Sequence, residues 1–149
     1  MRIALVGTVA SVSLCFRRDL IKAMVTRGDD VHVFAVDFDD TISPWGLNTT
    51  QECNWVVEKL KTYQQQGAYI VIFTACNSDR FEDISNFCNQ NDLMISSINK
   101  NAFELPYGNN GKIYANVFLD DRAGLFETIE ILDGALCNMK AHGNEIQHI

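Results

Sequence analysis

The sequence predicts an α/β protein: a Rossmann-like three-layer sandwich on a mainly parallel sheet, without room for a large cap domain. Three observations carry this. Residues 33–36 (VFAV) and 68–73 (AYIVIF) are unbroken apolar runs, the pattern of parallel strands buried on both faces. Between them lies a helical stretch opened by Thr49 and Glu52, the capping-box pair. Beyond them strand and helix signals keep alternating, which calls for right-handed crossovers between parallel strands.

Taken in order, residues 2–7 read as a strand, 16–27 as a helix with Gly28 as its cap, and Asp29-Asp30 as the turn into the strand at 33. The helix after Thr49 places Val56, Leu60 and Tyr63 on one stripe and ends before Gly67. Residues 68–73 form the next strand. Asn77 or Ser78 caps a helix to about Asn91 with Phe81, Ile84 and Cys88 inward. Residues 93–95 read as a short strand, 100–111 as an Asn- and Gly-rich loop, 114–119 as the last strand and 125–139 as the closing helix. The tail from Lys140 is polar and expected to fray. The 149 residues therefore read as one domain: an N-terminal βα extension (1–28), a core (33–139) and a tail (140–149).

Composition limits the function. The net charge of −7 argues against nonspecific nucleic-acid binding, which depends on neutralising phosphates with Lys and Arg. The charge is uneven: residues 1–28 hold five basic groups and one acid, the remainder seven basic and eighteen acidic. No apolar run reaches the ~18–20 residues of a membrane span. Residues 3–16 follow Met1-Arg2 as a signal-peptide core would, but no small-x-small cleavage site follows and Leu14 precedes Cys15 where a lipoprotein signal wants a small residue. Five scattered cysteines (Cys15, Cys53, Cys76, Cys88, Cys137) without a C-x-x-C pair read as reduced thiols. The expectation is a cytoplasmic protein. Cys76 falls near the strand end at Thr74, but no His lies close in sequence to activate it, so a nucleophilic cysteine is not expected.

The chemistry concentrates at strand ends. Residues 33–42, VFAVDFDDTI, run from an apolar strand into Asp37, Asp39 and Thr41. Carboxylates at i and i+2 begin on the same face of a strand, so they call for a divalent cation, a shared proton, or both. The second apolar run ends at Thr74; a third, 117–119, ends at Asp120-Asp121, with Lys112 eight residues before that pair. Singly, Asp39-Asp40 reads equally as turn chemistry and Asp120-Asp121 as a helix cap. Their occurrence together with Thr74 and Lys112 weakens both readings.

A D-x-D-x-T motif after a strand, a strand-end Thr, a Lys and a strand-end acidic pair, in that order, resemble the four motifs of the haloacid dehalogenase (HAD) superfamily, mostly Mg²⁺-dependent phosphatases and phosphotransferases. The resemblance covers about residues 33–139. It implies that Asp37 is the nucleophile and a metal ligand. It makes Asp39 the general acid and then base, with its backbone carbonyl on the metal. Thr41 would orient the loop at the substrate site, Thr74 would hydrogen-bond a phosphate oxygen, and Lys112 would supply the fixed positive charge, with Lys100 competing for that role. Asp121 would bind Mg²⁺ directly and Asp120 through water.

Two departures stand out: Cys76 occupies the place where many relatives have an Arg, with Arg80 and Arg122 as substitutes, and Asp40 stands where a Gly is common. The 32 residues between Thr41 and Thr74 and the 37 between Thr74 and Lys112 leave no room for a separate cap. The expected lids are Ser43-Pro44-Trp45-Gly46 and residues 103–111, and Trp45 reads either as a stacking surface for a base or sugar or as an anchoring aromatic. Residues 1–28 resemble the opening of GT-B glycosyltransferases without a G-x-G-x-x-G fingerprint, so an added edge layer or a homo-oligomer contact is expected there, not glycosyl transfer.

The expected function is a Mg²⁺-dependent phosphomonoester hydrolase acting through an aspartyl-phosphate on a small phosphorylated metabolite such as a nucleotide or sugar phosphate, with no nucleic-acid or membrane partner. The alternative is a catalytically weak or inactive module of the same fold that serves binding or assembly. A two-component receiver domain also uses acids, Thr and Lys. It needs its phosphoacceptor Asp at the end of a middle strand, where this chain has Thr74, and is set aside.

Overall fold

The computed structural model of the chain describes residues 32–102 and 111–143. The N-terminal extension, the loop at 103–110 and the end of the tail lie outside the described residues, and so do the expectations for them.

The apolar run before Asp37 forms β1 (His32–Val36), buried along Val33, Phe34, Ala35 and Val36 as a doubly covered strand should be. It pairs in parallel with β2 (Ala68–Ile72) from His32↔Ala68 to Val36↔Ile72. On its other side it pairs in parallel with β4 (Val117–Leu119). β3 (Ile95–Ile98) adds to β2, giving a four-stranded, all-parallel sheet in the order β3-β2-β1-β4. With its helices this makes the α/β Rossmann-like architecture that the alternating pattern predicts.

Three helices cover the sheet. α1 (Thr50–Gln65) begins with the capping box complete: the Thr49 hydroxyl accepts from the Glu52 N–H, and the Glu52 carboxylate accepts from the Thr49 N–H. It ends against Gly67, whose φ of +93° turns the chain into β2. α2 (Phe81–Gln90) follows a 3₁₀ turn at Ser78–Arg80, and α3 (Leu125–Gly143) closes the described chain. Alternation in the strands sorts the core. Phe34, Val36, Ile70, Ile72, Val117 and Leu119 face the helices, meeting Val56, Leu60 and Tyr63 of α1, Ile84 and Cys88 of α2, and Leu125 and Ile129 of α3. Tyr63 stacks on Phe34 with ring centres 5.3 Å apart, a contact worth about 0.5–1.5 kcal/mol beyond its burial. On the opposite face Val33, Ala35 and Val71 are covered by Ile113. Among the described residues the helical layer lies on one face only, so the third layer of the expected sandwich is not among them.

Four boundaries differ from the sequence reading. β3 starts at Ile95, not residue 93, because Leu93 finishes α2 instead. Asp92 adopts φ +54°, its N–H bonds the Asn89 carbonyl, the Leu93 N–H reaches back to Cys88, and the Leu93 side chain is buried beneath. That is a Schellman ending with Asp where Gly is usual. β4 is three residues long, not six. Ahead of it the Asn116 side chain accepts the Val33 N–H at 2.7 Å, and the Asn116 N–H donates to the Val33 carbonyl. Asn77 makes no side-chain cap, so α2 opens through the 3₁₀ turn. α3 runs past Met139 to Gly143.

Candidate functional site

The carboxyl ends of β1 and β4 set the site. The β ladder continues past β1: the Asp37 N–H donates to the Leu119 carbonyl at 2.9 Å, which places Asp37 beside the first residues after β4. Carboxylate oxygens of Asp37, Asp120 and Asp121 lie within 4.8 Å of one another, all three side chains partly buried. The crowding shows in their acidities. Asp37 is pushed up from 3.8 to about 6, chiefly by burial and further by the charges of Asp120, Asp121 and Asp39, against a lowering bond from the Phe38 N–H. Asp121 is also raised, first by burial and then by Asp120. Three hard oxygen donors held together against their own repulsion form a donor set that fits Mg²⁺, which takes oxygen ligands and few carboxylates.

The turn after Asp37 distributes its acids differently. Asp40 adopts φ +59°, a conformation that Asp tolerates better than most residues, which is how it stands in a place suited to Gly. Its Oδ1 accepts the backbone N–H groups of Trp45, Gly46, Leu47 and Asn48 at 2.8–3.3 Å. Burial alone would raise its pKa; those four bonds overcome burial and hold the carboxyl down at about 2. Asp40 therefore builds the 45–48 loop and is not part of the acidic cluster. Thr41 is fully buried, and its hydroxyl accepts the Asp121 N–H at 3.1 Å, tying the turn after β1 to the turn after β4. Among the described contacts it orients the acidic tip.

Asp39 is not one of the three clustered acids. Both of its carboxylate oxygens are taken by Arg80 in a fork: Nη1 to Oδ2 and Nη2 to Oδ1, each at 2.9 Å. The Arg80 guanidinium lies 4.9 Å from the ring centre of Trp45, whose side chain is 72% exposed. Of the two arginines weighed as substitutes at Cys76, Arg80 is therefore at the site. Arg122 is 84% exposed and lies 4.0 Å from Asp121.

Thr74, at the end of β2, is buried, and its hydroxyl oxygen accepts the Cys76 N–H at 3.2 Å, leaving the hydroxyl proton to donate. Asn99 holds it there. The Asn99 amide accepts the Thr74 N–H at 2.9 Å and donates to the Thr74 carbonyl at 2.7 Å, extending the sheet with a side chain. Sequence reasoning missed Asn99: its role depends on a positive φ of 51° and on a partner 25 residues away, neither of which its identity shows. Cys76 packs against the core, and among the described cysteines Cys53, Cys76 and Cys88 are free thiols, Cys88 pushed up to about 11 by burial. Lys112 is exposed, and its neighbour Ile113 is packed on the sheet face that Asp37 shares by alternation; Lys100 is exposed after β3. The acidic pair does not cap α3, which begins at Leu125. Asp120 instead closes a tight turn by accepting the Arg122 N–H at 2.9 Å.

The fold has a solved counterpart. The chain is similar to a conserved protein from Bacteroides thetaiotaomicron, 27% identical, with a TM-score of 0.51 over 62% of this chain and 78% of that one. No protein-family model matches the chain, and no curated protein matches it.

Proposed function

We propose that the chain is a Mg²⁺-dependent phosphomonoester hydrolase of the HAD type, working on small phosphorylated metabolites. One observation supports this most: Asp37 of the D-x-D-x-T motif and both acids of the D-D motif, about eighty residues apart in sequence, meet within 4.8 Å. Asp37 and Asp121 would hold the ion, with the Asp39 backbone carbonyl, and Asp120 would hold it through water. The ion supplies charge neutralisation between the phosphate and Asp37.

The chain's own residues do the rest. An Asp37 oxygen attacks phosphorus as the bond to the leaving oxygen breaks, and that oxygen takes a proton from Asp39. Water then attacks the aspartyl-phosphate and gives its proton to Asp39, and Asp37 is restored as inorganic phosphate leaves. The Thr74 hydroxyl proton is available to a phosphate oxygen, and Lys112, or Lys100, supplies positive charge. The test is Mg²⁺-dependent release of phosphate from an aryl phosphate. Asp37→Asn should lower it on the order of 10⁴-fold or more, as loss of a nucleophile does. Equal release by both proteins removes the reading.

The Arg80–Asp39 fork favours a second reading. A carboxylate with both oxygens bound by a guanidinium cannot donate a proton until that pair opens. If it never opens, the chain is a binding or assembly module that keeps the fold and the acidic cluster without turnover.

A further inference from the structure

Arg80 reaches the D-x-D-x-T turn through Asp39, and three features of the fold position it. The loop after β2 carries both Thr74 and Arg80, so the hydroxyl read as a phosphate ligand and the guanidinium come from one segment. Asp40 gathers four backbone N–H groups and thereby fixes the loop that lays Trp45 over Arg80. Phe38, buried in the core, stands under the same guanidinium at 6.0 Å. A guanidinium resting against aromatic rings loses little by sliding along them, since neither ring offers a directional bond. Among the described residues Asp39 is the hydrogen-bond partner of this side chain, and the guanidinium fork would match a phosphoryl group as well as a carboxylate.

We infer that Arg80 is the receptor for the substrate's phosphoryl anion, parked on Asp39 in the free protein and taken over by the arriving anion. Exchange of one planar two-oxygen partner for another keeps the guanidinium's bonds satisfied. It also frees the Asp39 carboxylate at the moment a substrate is present. The inference deepens the hydrolase reading and rests on it for the word substrate; the anion exchange itself does not require turnover. It also explains how the chain manages with Cys76 where an Arg would be expected.

The experiment uses the full chain with Trp55→Phe, so that Trp45 is the remaining tryptophan. Inorganic phosphate is titrated in Mg²⁺ while Trp45 emission is followed. Phosphate should change the emission saturably, Arg80→Ala should abolish the change, and Arg80→Lys should restore part of it. Asp39→Asn, which weakens the competing partner, should tighten phosphate binding on the order of 10-fold. With an aryl phosphate, Arg80→Ala should raise KM about 10–100-fold, the range of one charge-assisted fork, with a smaller change in kcat. An unchanged emission on adding phosphate, or an equal response and KM in Arg80→Ala, overturns the inference and leaves the hydrolase reading standing if Asp37→Asn still abolishes turnover. An Arg80-dependent phosphate response without any turnover leaves the inference standing as an anion site and removes the hydrolase reading.

Discussion

Asp37 and Asp40 are three residues apart on the same turn, and the fold treats them in opposite ways. Asp37 sits among like charges, partly buried, and is pushed up to about 6. Asp40 is less exposed to solvent, yet four backbone N–H groups converge on it and hold it near 2. Burial raises both, so the divergence comes from what each carboxylate is offered in exchange for water. The satisfied acid organises backbone. The crowded one carries an electrostatic demand that a cation would meet.

The largest effect expected from this contrast is on metal dependence. Asp121→Asn should raise the Mg²⁺ concentration for half-maximal turnover about 100-fold, at the upper end of what even outer partners of a metal site carry. A titration with unchanged midpoint would break the assignment of Asp121 as a ligand.

Stability should then move in opposite directions at the two acids. Asp40→Ala strips an acceptor from four N–H groups and demands a left-handed backbone from a residue that resists it. Its melting temperature should fall by about 5 °C or more. Asp37→Asn, in metal-free protein at pH 7, should gain about 1–2 kcal/mol, the two-unit displacement discounted for solvent screening. The sign follows from linkage. The folded protein holds the Asp37 proton more tightly than the unfolded chain, so this contribution is complete below about pH 4 and is lost as pH rises through about 6. Thermal melts of metal-free protein across that window should show the decline, Asp37→Asn should lack it, and Mg²⁺ should offset it most above pH 6. A wild-type profile flat over that window would show that the crowding at Asp37 is relieved some other way.

The smallest effect sharpens the comparison from outside the turn. Asn99→Ala leaves the Thr74 N–H and carbonyl without their partners and should cost about 1–3 kcal/mol, read by chemical denaturation, with a weaker effect on metal titration than Asp121→Asn. Equal effects on both would mean that Thr74 and the acidic cluster are mechanically one unit.

The sequence carried the parts of this picture that depend on local pattern. β1, β2 and β4 end just before Asp37, Thr74 and Asp120 because unbroken apolar runs stop there, and the Thr49–Glu52 box starts α1 because its chemistry lies within four residues. What escaped is long-range or hidden in φ. Arg80 and Asp39 are 41 positions apart, and Asn99 and Thr74 are 25 apart, so no periodicity links them. Leu93 looked like the first residue of a strand because an apolar residue after a polar turn reads the same whether it begins a strand or seals a helix. Only the left-handed Asp92 decides between the two. Asp40 announced itself as an oddity, and the loop it organises could not be read from its identity.

β4 is three residues long and stands at one margin of the described sheet, joined to it through β1 alone. Two of the three clustered acids hang from that short attachment. An ion gripped by Asp37 and Asp121 together would therefore act as a rivet across a span of more than eighty residues, trading some of its affinity for the ordering of the strand and of the helix that follows. Loading with metal and firmness of the molecule's β4–α3 margin would then rise and fall together.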